Sequence, residues 1–183
     1  MSKDESARTA LLKAGELLVY RPDGVAALDS KGISAAAGVP EDVFEDSFES
    51  LDHYKHELLG YLMDVVRASV LGSATEIPRA GMERIWHSME TFLDANLRHP
   101  AMRSLAFALR TDPAALDMMR RRTAGYSIVF KVEMEALGKP DAAAAARLFA
   151  SMTVETARAE HDAHHALADM RRALYAMLKG YVG

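Results

Sequence analysis

Apolar positions recur at helical spacing along almost the whole chain, and no stretch alternates apolar and polar residues with period two. Leu11, Leu12, Leu18 and Val19 share one face of a first helix from about Ser6 to Tyr20, which RPDG (Arg21 to Gly24) stops. A short helix follows over about Asp29 to Ala37. Gly38 ends it, as a residue at ease in a left-handed turn. A second short helix covers about Glu41 to Ser47. A longer one runs from about Leu51 to Leu71, with Tyr54, Leu58, Tyr61, Leu62 and Val65 at helical spacing.

GSATEIP (Gly72 to Pro78) is the clearest break in this half, and Pro78 suits the first turn of a helix reaching about Arg98. Pro100 and Pro113 mark two further starts, and Gly138-Lys139-Pro140 sets the last pair of helices apart from those before it. Asp141 is a candidate N-cap for a helix with the stripe Ala145, Leu148, Phe149, Met152, Thr156 and Ala159. The final helix uses Leu167, Met170, Leu174, Met177, Leu178 and Tyr181. The pattern predicts an all-α chain of about nine helices with no strands.

Composition narrows the function. The chain has 183 residues, 50% of them hydrophobic and 26% charged, enough for a substantial core in one domain or two small ones. It has no cysteine, which excludes a disulfide scaffold, a thiolate-ligated zinc site and a cysteine nucleophile. No apolar run approaches the roughly 18–20 residues of a membrane span. MSKDESARTA lacks the apolar core of a signal peptide, so a cytoplasmic protein without membrane association is expected. Neither paired Glu-x-x-His motifs nor HExxH, a phosphate loop or a nucleophile elbow occurs, so neither an enzyme nor a bound cofactor is expected.

The first helices carry a specific pattern. In GISAAAGVPEDVFEDSF, Ile33 and Ala37 are placed to pack on Phe44 and Phe48, Ala36 and Ala37 allow close approach, and Gly38-Val39 makes a turn. With Arg8, Leu11-Leu12, Ala14, Leu18 and Gly24 upstream and Phe48 and Ser50 downstream, this resembles the TetR family of bacterial transcriptional regulators. The spacing from Gly24 to Phe48 agrees without a gap. The likeness extends, more weakly, through NLRHPAMRSL, the helix after Asp112-Pro113, and AAARLFASM. It implies a helix-turn-helix head over residues 1–50 and a helical ligand-binding and dimerisation domain over residues 51–183.

The departures from that family sit at its DNA-facing positions. Leu28 replaces a threonine, Pro40 and Glu41 replace a serine and a lysine, and Asp42, Glu45, Ser47 and Leu51 replace small, tyrosine, histidine and lysine residues. Lys31 keeps the family's charge. At about 100° per residue, Glu41, Asp42, Glu45, Asp46 and Glu49 fall within an arc of roughly 140°, largely opposite Phe44. Residues 1–59 hold six Lys or Arg against twelve Asp or Glu, so the N-terminal part is at −6 while the remainder is at +2. A DNA-binding head should show the reverse asymmetry. Lys31, Glu41, Asp42, Glu45, Asp46 and Glu49 are therefore the candidate surface of the head, facing DNA or a basic protein partner. A charge run also serves simply as a solvated face.

Methionine and aromatic residues recur along the central helices. Trp86, Met89, Phe107, Met118, Tyr126 and Phe130 are the candidate lining of a pocket for a small apolar or aromatic ligand, as the resemblance implies; a plain core has the same composition. Phe149, Met152, Leu167, Met170, Leu174 and Met177 are candidates for a homodimer interface or the core beneath it. His161, His164 and His165 lie close in sequence, and 161 and 165 are one turn apart. A solvated connection is expected there rather than a metal site, and a structural role for His53 and His56. The resemblance implies a homodimeric, ligand-responsive transcriptional regulator. The acidic head points to an alternative of another class: an antirepressor-type interaction protein that acts through a protein partner.

Overall fold

In the computed structural model the described residues are 3–21, 24–73 and 76–183. They form nine helices and no strand: α1 (Lys3–Val19), α2 (Ser30–Ala37), α3 (Glu41–Ser47), α4 (Leu51–Ser73), α5 (Met82–Arg98), α6 (Pro100–Ala108), α7 (Pro113–Ala136), α8 (Ala142–Ala163) and α9 (Ala168–Val182). Pro22 and Asp23 of the predicted stop, and Ala74 and Thr75 of the predicted break, lie outside the described residues.

Three local expectations need correction. Helix α5 begins at Met82, so Pro78 is not in its first turn; Gly81 stands at its N-cap, and Glu76 is tied back to His87 of the helix (3.1 Å). Asp141 does precede α8 but makes no capping bond. Its backbone is left-handed (φ 54°), whereas a capping side chain needs extended geometry to reach the free N–H groups. Leu148, placed in the inner stripe of α8, points outward and is exposed.

The chain divides into two compact units. One comprises residues up to 64 together with 100–116, and so contains the expected head but reaches beyond it. Its core holds Leu11, Leu12, Ile33, Phe44, Phe48, Tyr54, Leu58, Leu62 and Leu105. Leu28 also belongs to that core, not to an outer face: it is buried. The other unit comprises 65–99 and 117–183. There Ile85, Met89, Phe130, Met134, Phe149, Leu174 and Leu178 pack between α5, α7, α8 and α9.

Within the first unit Asp112 does two things. Its Oδ1 accepts from the Ala115 N–H (2.8 Å), capping α7, and meets Nε2 of His56 on α4 at 2.9 Å. The Ala115 N–H, and after it His56, hold the Asp112 carboxyl below its ordinary pKa. A lowered folded-state pKa contributes stability above the unfolded value, near pH 4, that is lost as the pH falls through the folded value. Urea unfolding of Asp112→Asn should accordingly show a shallower loss of stability than wild type below about pH 4. Equal acid slopes for the two proteins would contradict this.

Candidate functional site

The head surface begins with α2. Asp29 Oδ1 accepts from Gly32 N (2.6 Å), satisfying a free donor of the first turn. Gly38 ends the helix at φ 69°, and the N–H groups of Gly38 and Val39 return to Ala35 O and Ser34 O (3.2 and 3.1 Å). That turn aims α3 across α2, and Ser30 Oγ donates to Glu41 Oε1 (2.8 Å) to join the two helix starts.

The inner side of α3 is held by aromatic packing. Phe44, Phe48 and Tyr54 form a triangle with ring centroids 4.9–5.3 Å apart, and Tyr54 donates its hydroxyl to Leu11 O (2.9 Å). Burial pushes the Tyr54 phenol well above its ordinary pKa, so it remains a donor. Gly15 makes room for it: a Cβ there would overlap the Tyr54 hydroxyl. Arg8 closes the other end of α3. It donates to Ser47 O (2.6 Å), pairs with Glu57 (3.1 Å) and lies over the Phe48 ring (4.5 Å).

Outward, Glu41, Asp42, Glu45, Asp46, Glu49 and Lys31 are all exposed. One of the five carboxylates is not on the helix. Phe48 is extended (φ −139°), so Glu49 lies beyond α3, where its backbone N–H donates to His53 Nδ1 (3.3 Å). Lys31 lies on α2.

The predicted pocket residues separate. Tyr126 and Phe130 of α7 line a cavity of about 10 Å³ with Val70, Ser88, Phe92, Ala150, Thr153 and Val154. Trp86, Met89, Phe107 and Met118 are not in that lining. Met89 is core, and Trp86 packs edge-on against Tyr175 at 5.0 Å. Met118 is half-buried on α7. Phe107 belongs to the first unit, where it is 67% exposed beneath the Arg110 guanidinium. The cavity is lined by apolar groups. Ser88 and Thr153 turn their hydroxyls back to Arg84 O (2.9 Å) and Phe149 O (2.7 Å) of their own helices.

The predicted interface residues divide as well. Phe149 and Leu174 are core of the second unit, while Met152, Leu167 and Met170 are half-buried and Met177 is exposed. Where α8 turns into α9, Glu160 is fully buried. It accepts from Leu167 N (2.9 Å) and from both Nε and Nη2 of Arg171 (2.6 and 2.8 Å), while Nη1 of Arg171 reaches Asp94 on α5 (2.7 Å). The hydrogen bonds to Glu160 hold the Arg171 guanidinium above its ordinary pKa. Sequence reasoning missed this triad, because Glu160 sits in the polar stretch EHDAHH, where nothing signals burial.

No family model and no curated protein sequence matches the chain. Solved structures do. A protein from Rhodococcus sp. described as a TetR-family transcriptional regulator superposes with a TM-score of 0.79 at 18% identity, over 98% of this chain and 100% of its own. A TetR-family regulator from Agrobacterium tumefaciens gives 0.73 at 17%, over 99% and 100%. E. coli NemR in its reduced form gives 0.73 at 13%, over 96% of each chain.

The chain has the TetR-family fold. At such identities the likeness carries architecture, and the surface chemistry must be read from this chain's own residues. On this TetR fold, α2 and α3 keep the turn while α3 presents carboxylates. Replacing Tyr54 by Phe removes the hydrogen bond from α4 to the Leu11 carbonyl of α1 at the back of that surface. It should destabilise the protein by about 1 kcal/mol without loss of helix content, measured by urea unfolding and circular dichroism. An unchanged midpoint would show that the bond contributes nothing.

Proposed function

We propose that the protein regulates transcription as a homodimer, and that its head engages a basic protein surface in preference to duplex DNA. The observation carrying this is the outer side of α3, where Glu41, Asp42, Glu45 and Asp46 are exposed while Arg8 is engaged with Ser47, Glu57 and Phe48. One carboxylate about 5 Å from a phosphate costs roughly 0.8 kcal/mol in bulk water, and several together cost on the order of 2–4 kcal/mol. Non-specific DNA affinity is worth only roughly 5–8 kcal/mol and comes from basic contacts. The same carboxylates complement a cationic protein surface, including the DNA-binding face of another regulator.

A second reading is an operator-binding repressor of the ordinary kind, which the intact Asp29 cap and Gly38 turn favour. In either case the cavity between α5, α7 and α8 is the candidate effector site. Its apolar lining suits a small apolar or aromatic molecule, and at about 10 Å³ it must expand to hold one, since ligand pockets run to roughly 300–1,000 Å³. The exposed Leu148 on α8 and Met177 on α9 support a homodimer through that helix pair.

Two measurements test this. Fluorescence anisotropy with duplex DNA from the protein's own upstream region should show negligible binding at about 0.1 M salt. Reversing Glu41, Asp42 and Glu45 to Lys should produce weak, sequence-independent, salt-sensitive binding. Tight sequence-specific binding by the wild type would establish the repressor reading instead. For assembly, light scattering should give a dimer at micromolar concentration, and Leu148→Asp with Met177→Asp should give a folded monomer. Leu174 is unsuitable for that test because it is core. A monomeric wild type would rule the dimer out.

A further inference from the structure

The walls of the small cavity and the Glu160–Arg171–Asp94 triad occupy the same helices in the same order. On α5, Ser88 and Phe92 line the cavity and Asp94 follows two residues later; on α8, Ala150, Thr153 and Val154 line it and Glu160 follows. Arg171, from α9, bonds to both. Phe92 of α5 and Ala150 and Thr153 of α8 are walls of this cavity, so a molecule that enlarges it between them separates α5 from α8, and Arg171 spans the two helices.

The two ends of that span are unequal. The Glu160 side chain is 0% exposed, takes two parallel bonds from Arg171 and also holds Leu167 N, so releasing it would strand a buried carboxylate. The Asp94 side chain is 56% exposed and takes a single bond from a guanidinium itself only 16% exposed, so water can replace that bond. Under strain the Asp94 end opens first.

We propose that the Arg171–Asp94 bond is the latch of this cavity: α5 separates from α8 to admit a small apolar molecule only as that bond opens, and occupancy therefore frees the start of α9 from α5. The inference rests on reading the cavity as the effector site. It adds which contact resists filling and which helix responds. Asp94 and Arg171 are positioning residues that touch no ligand.

The test uses the full chain and benzene as the probe, followed by calorimetric titration and by amide exchange over residues 168–172. Asp94→Ala should tighten benzene binding about two- to fivefold, the range set by an exposed ion pair. Asp94→Glu should restore wild-type affinity. Asp169→Asn, which removes an exposed partner of Arg172 on the same helix, should leave it unchanged. Saturating benzene should raise exchange at the start of α9 in wild type to the level of Asp94→Ala. Equal affinity in wild type and Asp94→Ala, or an equal gain in Asp169→Asn, overturns the latch and leaves the effector cavity standing. No benzene binding by either protein up to its solubility limit overturns the cavity reading and the latch with it.

Discussion

The head depends on burying one side of a helix too short to persist alone. Helix α3 spans Glu41–Ser47, about two turns, and isolated helices below about 12–15 residues are marginal in water. Its first turn carries Glu41 and Asp42, which suit a helix N-terminus, but its last turn holds Asp46, where a negative charge is unfavourable. Phe44 and Phe48 against Tyr54, with Arg8 on the last carbonyl, supply what local propensity does not. Arg8 also places a cation where the helix dipole calls for one. The outward carboxylates are presented in a definite geometry because the inward face is anchored so firmly.

The second unit meets a different constraint, the burial of charge. Glu160 has no water to solvate it, so three donors converge on it: the Leu167 N–H and two from Arg171. Such a group is costly to leave half-satisfied, and the turn from α8 to α9 is shaped around it. His164 ends α8 in a left-handed conformation (φ 59°), and the N–H of His165 returns to Glu160 O (3.2 Å). The histidines noted in the sequence thus belong to a helix ending.

Local signals in the sequence were most informative where one residue decides the outcome. Gly38 and the periodicity of Leu11, Ile33, Phe44 and Tyr54 located the first helices closely, because a left-handed turn and a buried stripe are each written in residue type. The all-α fold followed from the same periodicity. The functional surfaces were less legible. Burial of Phe149 and Leu174, exposure of Leu148 and Phe107, and the capture of Glu160 by Arg171 depend on which face of one helix meets another. Periodicity defines a face but not its partner, so Phe107 looked like a pocket residue although it belongs to the other compact unit.

The fit of Gly15 beneath Tyr54 has a consequence for how this sequence can change. The Tyr54 hydroxyl occupies the space a Cβ at position 15 would need, and the Leu58 side chain crowds the same spot. Position 15 therefore cannot drift while the tyrosine remains. An alanine at 15 requires that the phenol oxygen be lost first, as in Phe or Leu at 54, and a tyrosine regained at 54 requires glycine at 15. In helix α1 glycine is an otherwise unfavourable residue, disfavoured by about 1 kcal/mol relative to alanine, so related sequences that lack the tyrosine should have drifted to alanine there. The two positions should co-vary as a pair across relatives, and the order in which they change is set by sterics, with position 54 leading.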